Sequence, residues 1–153
     1  MNLNDNLLTT KNYEEHLQQV VDLFNHLSEA DTQDLSKFYH AQAWFKDPFN
    51  EVTGITAIEA IFQRMYQQVH APRFEVRDQV LQGAQAFLVW DFHFGLKRKP
   101  AQLIRIHGSS HLRFAEDGRV IYHRDYWDVA EELYEKLPVL GSLMRFLKRQ
   151  AHS

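Results

Sequence analysis

Three residues near one another in the sequence, His123, Asp125 and Trp127, have side chains and a spacing suited to proton transfer. They alternate within Arg119 to Trp127, an apolar and aromatic segment typical of a β-strand. Alternate residues of a strand share one face and lie about 6.6–6.8 Å apart along it. An imidazole and a carboxylate at that spacing can converge on one ligand. The structural alternative is that His123 and Asp125 only pair with each other or with Arg124.

A second carboxylate, Asp47, precedes Pro48 just after a short apolar segment, Ala43 to Phe45. Two carboxylates and an imidazole around an apolar pocket suit acid–base chemistry. Burial raises the pKa of a carboxyl group toward neutrality, and a second charge nearby separates the roles of the two groups. The alternative is that the Asp-Pro pair only marks a turn before a helix.

The residue pattern gives no support to metal, nucleotide or thiol chemistry. His107 and His111 would lie about 13 Å apart on a strand, too far for one metal ion. The chain contains no Cys, no His-Glu-x-x-His motif, no glycine-rich phosphate loop and no serine nucleophile elbow. We therefore expect no metal and no cofactor.

Charge and hydropathy exclude further classes of partner. The 153 residues include 17 Lys and Arg against 20 Asp and Glu, a net charge of −3. Proteins that track phosphates usually carry a basic excess, so nucleic acid is not expected as a partner. No apolar run is long enough to span a membrane, and the N-terminal residues show no apolar signal segment. We expect no membrane partner and a cytoplasmic location.

Apolar residues at three- and four-residue steps predict helices in the first half of the chain. The first helix is expected over Tyr13 to Leu27. Asp31 is expected to cap a short helix that continues through Tyr39. A third helix follows Gly54 and is expected to close at Pro72.

The second half alternates as β-strands do. A basic run, Lys97 to Pro100, and the turn Glu116 to Gly118 are expected to join neighbouring strands as hairpins. Helices followed by a run of strands predict an α+β domain, in which a long curved sheet forms a cone lined by aromatic side chains. The predicted strands are a short one in the first half, Ala43–Phe45, and then Phe74–Leu81, Ala86–Phe94, Leu103–Phe114 and Arg119–Trp127.

Three stretches carry a family resemblance: Ala30 to Tyr39, then Trp44-Phe45-Lys46-Asp47-Pro48-Phe49 with Thr53-Gly54-Ile55, then Arg113 to Trp127. In this order they resemble the NTF2-like superfamily, and within it the SnoaL-like and ketosteroid isomerase-like branch. The resemblance implies a cone-shaped, cystatin-like α+β fold, with N-terminal helices packed on a curved antiparallel sheet. We predict a single domain over residues 1–153, with a core at about 10–128 and a helical C-terminal extension at 129–150.

The resemblance also implies roles for individual residues. Asp47 falls where the isomerases keep their general base, and Tyr39 falls on a tyrosine of their hydrogen-bond network. Trp127 falls on an aromatic residue of the pocket wall. If Trp127 faces the cone, His123 and Asp125 share that face, with Asp47 across the cavity.

The oxyanion donors of the steroid isomerases do not carry over. Leu23 stands at the position of one tyrosine, Phe62 at that of another, and Ser110 at that of the protonated aspartic acid. Stabilisation of the developing negative charge is usually the largest catalytic term. Steroid isomerase chemistry is therefore not expected.

Together these observations predict a pocket protein that acts on a small apolar carbonyl compound as an isomerase, cyclase or hydrolase. The alternatives are a non-catalytic small-molecule binding protein and a protein-interaction module. The residues expected to serve as acid or base are Asp47, His123 and Asp125, and those expected to contact the ligand are Tyr39, Trp90, Ser110 and Trp127.

The resemblance further implies a homodimer formed through the outer face of the sheet. Phe87 and Val89 alternate with the inward-facing residues of their strand and are expected on that face.

Overall fold

The order of helices and strands in a computed structural model follows the order that the sequence predicts. The structure describes residues 3–136, 145, 147 and 149–151, with side chains from residue 12 onward. The helices are α1 (Leu3–Asn25), α2 (Ile55–Gln68) and α3 (Val129–Glu132), and the short 3₁₀ helices are Ala30–Gln33 and Tyr134–Lys136. The strands are β1 (Tyr39–Lys46), β2 (Glu51–Thr53), β3 (Val69–Gln82), β4 (Gln85–Leu96), β5 (Lys99–Phe114) and β6 (Val120–Tyr126).

Helix α1 packs on the sheet through a stripe of apolar side chains at helical spacing. Leu17, Val20, Val21 and Phe24 are buried, as residues three and four positions apart on one helical face must be when that face covers a core. At the end of the helix, the Asn25 side-chain oxygen accepts a 2.8 Å hydrogen bond from the backbone N–H of Val76 on β3. This bond fixes the helix end against the widest part of the sheet.

The six strands form one curved sheet in the order β2-β1-β6-β5-β4-β3. As expected, the strands pair antiparallel at four of the five contacts, whereas β1 and β6 pair in parallel. Hairpin signals in a sequence report only on strands that follow one another directly, whereas β1 and β6 are separated by α2 and three long strands. The sheet is therefore mixed.

The segment after α1 also differs from its predicted form. Asp31 lies in a single 3₁₀ turn, where its carboxylate accepts 2.8 Å hydrogen bonds from the backbone N–H and the hydroxyl of Ser28. Tyr39 is the first residue of β1 rather than part of a helix. Because the Asp31 carboxylate accepts hydrogen bonds within its own turn, the turn ends there instead of continuing as a helix. The chain then enters the sheet at Tyr39.

The end of α2 was predicted at Pro72, but the helix ends at Gln68 and Pro72 lies inside β3. The pairing of β3 with β4 is irregular between His70 and Arg73, and Ala71 has a positive φ of 46°. A proline cannot donate to a strand ladder, and bulges and edge strands are where sheets accommodate it. This irregularity bends β3 where it leaves the helix.

Alternation along β4 separates the inside of the cone from the outside. Ala86, Leu88 and Trp90 are buried in the core, whereas Phe87 between them is exposed. The C-terminal helical extension is confirmed for α3 and the 3₁₀ turn after it, whereas residues 137–144, 146 and 148 of its predicted length lie outside the described residues. In the described part of the chain, no helix is both long and apolar enough to cross a membrane.

Gly108 on β5 makes room for the indole of Trp90, its partner across the strands. A Cβ atom at position 108 would lie 2.4 Å from the Trp90 ring. Overlap at that distance requires the ring or the strand to move, because protein interiors are close-packed.

We expect Gly108→Ala to lower the free energy of unfolding by about 1–3 kcal/mol, the usual cost of overpacking a core. Urea unfolding followed by circular dichroism would measure it, with Ser109→Ala on the neighbouring position as the control. A Gly108→Ala protein as stable as the wild type would show that the indole has room to move.

Candidate functional site

Five side chains form one continuous hydrogen-bonded chain at the floor of the cone. The Tyr39 hydroxyl lies 2.7 Å from His123 Nδ1, and His123 Nε2 lies 2.7 Å from Asp125 Oδ1. The same carboxylate oxygen lies 2.5 Å from Ser110 Oγ, which in turn lies 2.8 Å from Trp90 Nε1. Strands β1, β4, β5 and β6 each contribute at least one member. The sequence predicted each of these five residues for the site, and the structure brings them together.

Two groups with fixed roles, the donor-only indole of Trp90 and the acceptor-only carboxylate of Asp125, set the directions of these hydrogen bonds. An indole N–H can only donate, so Ser110 accepts from Trp90 and directs its own proton to Asp125. Burial raises the pKa of the Tyr39 phenol well above its ordinary value, and the charge of Asp125 raises it further. The Asp125 carboxylate can only accept, so the N–H on His123 Nε2 donates to it; in that tautomer Nδ1 accepts from the Tyr39 phenol. All donors point toward one carboxylate.

The second oxygen of Asp125 has no hydrogen bond from the described residues. No buried side-chain oxygen or nitrogen in that part of the chain lacks a partner, so this oxygen, Oδ2, has access to open space. The side chain of Asp125 is 20% exposed, whereas that of His123 is 3% exposed. Asp125 is therefore fixed through one oxygen, and its other oxygen remains free of hydrogen bonds from the described residues.

The cavity in front of Asp125 has a volume of about 480 Å³, within the usual range for small-molecule sites. Its walls are aromatic and aliphatic, and its polar lining is confined to a few side chains. The apolar lining comes from helix α2, from strands β3 to β5 and from the mouth, including Phe62, Met65, Phe74, Phe92, Phe94, Ile106 and Trp127.

A smaller space of about 20 Å³ lies deeper, beside Ser110, His123 and Asp125. That volume is enough for one water molecule. Its remaining lining is apolar, including Phe24 and Leu88. A water placed there would touch the fixed carboxylate from the side opposite the larger cavity's mouth.

Asp47 lines the larger cavity but takes part in a turn of its own. Its Oδ1 atom accepts 2.7 Å hydrogen bonds from the backbone N–H groups of Phe49 and Asn50, and the Asn50 side-chain amide lies 3.0 Å from both of its oxygens. The structure thus places Asp47 at the same cavity as Asp125, with its charge already in contact with turn donors. Trp127 lies beside it at the mouth, 5.7 Å from the ring of Phe49.

The outer face of the sheet holds a second buried carboxylate that the sequence did not single out. Asp91 is 3% exposed and lies 2.7 Å from His107 Nδ1 and 2.9 Å from Arg77 Nε. The hydrogen bond from His107 lowers the pKa of Asp91, against the effect of burial and with further help from Arg77. Only the strand register pairs position 91 with 107, so spacing alone could not have found this contact.

Ligand atoms of Glu75, Asp91 and His93 lie within 4.8 Å of one another, which makes them a possible metal-binding group. Arg77 already lies 3.1 Å from Glu75 and 2.9 Å from Asp91. Its guanidinium supplies the positive charge that these carboxylates need. The expectation that the protein uses no metal stays a prediction.

The Tyr39 phenol generates a pH dependence of stability that can be measured. A raised pKa in the folded state means that, above about pH 10, the unfolded chain releases a proton that the folded chain retains. The free energy of unfolding should then fall with rising pH by up to about 1.4 kcal/mol per pH unit for this one group. We expect Tyr39→Phe to remove that contribution. Between about pH 9.5 and 11 the free energy of unfolding of the wild type should therefore fall more steeply than that of the variant, and the difference between the two should become smaller.

Chemical denaturation at a series of pH values measures this difference directly. Tyr126→Phe, which alters an exposed tyrosine, is the control and should keep the slope of the wild type. Parallel pH profiles for wild type and Tyr39→Phe would contradict a buried, neutral phenol in the chain.

Comparisons with known proteins agree with this architecture. The SnoaL-like domain family matches residues 20–123. Solved structures with the same fold include an LEH-like epoxide hydrolase from M. tuberculosis (13% identity, 91% of this chain and 94% of that one, TM-score 0.66). They also include a candidate SnoaL-like polyketide cyclase from Jannaschia sp. CCS1 (13% identity, 80% and 90%, TM-score 0.68) and an NTF2-like protein from Exiguobacterium sp. 255-15 (18% identity, 74% and 98%, TM-score 0.63). Among curated proteins, none matches the sequence significantly.

At these identities the solved structures establish the fold, and the family match covers more than half of the sequence. The expected NTF2-like α+β fold is confirmed, and the sheet adds a strand that was not predicted, β2, and a parallel β1–β6 contact. This chain belongs to the SnoaL-like domain family of the NTF2-like superfamily.

Proposed function

We propose that the protein is an acid–base enzyme whose general base is Asp125, acting on a small apolar carbonyl compound. One observation carries the proposal: Asp125 is fixed through Oδ1 by Ser110 and His123, keeps Oδ2 free of hydrogen bonds from the described residues, and lines a largely apolar cavity. A general base must lie within hydrogen-bond reach of the proton that it takes. A ligand in this cavity can bring a C–H bond to that oxygen.

His123 and Tyr39 act as positioning residues in this proposal. Both nitrogens of His123 are occupied, one by the Tyr39 hydroxyl and the other by Asp125. Neither nitrogen is free to take a proton from a ligand while the chain is intact. The roles of the two residues therefore differ in this proposal: Asp125 touches the substrate, and His123 orients the Asp125 carboxylate.

The lining also limits the reaction. Trp90 donates its N–H to Ser110, and Ser110 donates its hydroxyl proton to Asp125. Among the described residues, these two side chains therefore leave no pair of free donors beside Asp125. A substrate must then stabilise its own carbanion, as a ketone with an adjacent aromatic ring does. This supports the expectation that the protein is not a steroid isomerase of the usual kind.

A second candidate, hydrolysis, has its own support. The 20 Å³ space beside Asp125, Ser110 and His123 could hold a water that the carboxylate activates. One of the structural neighbours is described as an LEH-like epoxide hydrolase, although the likeness is one of fold. An epoxide in the larger cavity would then be the electrophile.

The non-catalytic alternatives fit the structure less well. A pure interaction module is expected to fill its cone with its own side chains, whereas this cone contains a cavity of about 480 Å³. A simple carrier has no need of a buried, oriented carboxylate, since burying a charge is costly unless it is hydrogen-bonded. The carrier function differs from the enzyme only in turnover, which the following experiment measures.

We expect Asp125→Asn to lower kcat/KM by at least about 100-fold, the usual contribution of a general base. Asparagine keeps the Oδ1 acceptor for Ser110 and His123, so the fold should survive. The assay is deuterium incorporation from D₂O into 2-tetralone, an apolar ketone with an acidified C–H bond. Hydrolysis of styrene oxide tests the water-activating alternative with the same protein.

Asp47→Asn is the matched control for this experiment. Its carboxylate is engaged by its own turn, so we expect a loss of less than about tenfold from a shifted mouth loop. Equal activity of wild type and Asp125→Asn on both probes would refute Asp125 as the base. A larger loss for Asp47→Asn would transfer that role to Asp47.

We also propose that the protein is a homodimer formed through the outer sheet face, and we keep the cytoplasmic location as a prediction. Phe87 is 42% exposed and stacks on His111 at 4.4 Å, while Trp44 stacks on Tyr122 at 4.8 Å. His111 and Tyr122 join the two pairs into one aromatic stripe. Exposed apolar patches of this kind often mark protein interfaces.

We expect Phe87→Glu to convert a dimer into a monomer, because it buries a charge against the aromatic stripe. Sedimentation velocity at micromolar concentration measures the change in mass. Phe49→Glu introduces the same charge on a side chain exposed at the cavity mouth, and it should leave the dimer intact. A wild-type monomer at these concentrations would contradict the proposal.

A further inference from the structure

We propose that the cavity selects apolar molecules that carry a carboxylate at one end, with Arg64 at the mouth as the partner of that carboxylate. The inference deepens the proposed function and rests on it, because it assigns the class and the orientation of the substrate in the same cavity. It concerns a residue that the sequence analysis did not single out.

Helix α2 places Arg64 on its cavity-facing side. Ile61, Arg64, Met65 and Gln68 are spaced as i, i+3, i+4 and i+7, and all four line the cavity. The first turn of this stripe is half-buried, whereas Arg64 and Gln68 are exposed. The helix therefore runs from the apolar interior to a polar rim.

Arg64 is the arginine that lines the cavity, and it has no acidic partner among the described residues. Arg73, Arg77 and Arg119 each lie within 4.0 Å of a carboxylate. Arg64 makes neither an ion pair nor a hydrogen bond within the part of the chain that the structure describes. A guanidinium presents several donors in a plane that matches a carboxylate, and it is the preferred side chain for binding one.

The charges along the cavity fix which end of the ligand lies where. Asp125 repels an anion, so a carboxylate in this cavity is favoured beside the lining arginine, Arg64. Asp47 also lies at the mouth, but its charge is in contact with three turn donors. The basic hairpin turn that begins at Lys97 follows directly on Leu96, a lining residue, and adds positive charge on the same side.

This arrangement orients a substrate for the proposed chemistry. With its carboxylate at Arg64, the molecule extends its apolar body along Phe62, Phe92 and Phe94 and presents its neutral end to Asp125. Binding at the mouth then positions a reacting bond at the floor. A neutral polar group held by Gln68 is the competing occupant of the rim.

The test uses binding alone, so that it does not depend on turnover. The probes are arylacetic acids of one to three fused rings, each compared with its own amide, which has the same shape and no charge. Trp90 and Trp127 line the cavity, so quenching of tryptophan fluorescence reports occupancy. We expect at least one acid to bind about tenfold more tightly than its amide, as one charge-assisted contact usually gives.

Arg64→Gln should reduce that preference to less than about twofold and leave the affinity for the amide unchanged. Arg113→Gln is the matched control, since it removes the same charge from a side chain stacked on Tyr122 at the outer face, and it should keep the preference. Equal affinities of acid and amide for the wild type, no binding of any acid, or a preference that survives in Arg64→Gln would each overturn the proposal.

Binding by Asp125→Asn separates this inference from the proposed function. If Asp125→Asn keeps both its turnover and its preference for the acid over the amide, Asp125 is refuted as the base. The role of Arg64 as the carboxylate partner is then unaffected. If turnover depends on Asp125 but acids bind no better than amides, the acid–base function stands and the carboxylate partner is refuted.

Discussion

The hydrogen bond between His123 Nε2 and Asp125 Oδ1 is the interaction on which the site depends. A carboxylate at the floor of an apolar cone is stable only if donors compensate for its lost hydration. His123 supplies one donor and Ser110 the other. On its other side His123 Nδ1 lies 2.7 Å from the Tyr39 hydroxyl, which holds the ring in place. The carboxylate is thus held by side chains from neighbouring strands.

The hydrogen-bonded chain around that charge also depends on the curvature of the sheet. The members of the hydrogen-bonded chain belong to four strands, and their side chains meet only if the inner face of the sheet is concave. Irregular pairing in β3 bends the far edge, and Gly108 lets the Trp90 ring lie flat enough to reach Ser110. The same curvature leaves an apolar cavity in front of the carboxylate. Fold and site are therefore consequences of one geometry.

Local patterns were enough to predict much of this arrangement. Period-two alternation placed His123 and Asp125 on one face, and helical periodicity placed the elements that cover them. Contacts between strands distant in sequence could not be predicted, because they depend on register: the parallel pairing of β1 with β6 and the Asp91–His107 contact are examples. Asp47 shows a different limit. Its position at the cavity follows from the family resemblance, but its hydrogen bonds to the turn depend on backbone geometry that residue types do not specify.

For the proposed reaction, the convergence of the Ser110 and His123 donors on one oxygen of Asp125 has a consequence for the energy of proton transfer. Both donors already point at Oδ1 before a proton arrives, and both can remain there after Oδ2 has received it. No hydroxyl has to rotate and no imidazole has to change its tautomer during the step. The reorganisation energy of the protein is then small, which is the condition under which a fixed polar environment accelerates a reaction most. In this proposal, the acidity of the C–H bond in the bound molecule then determines the height of the barrier to proton transfer.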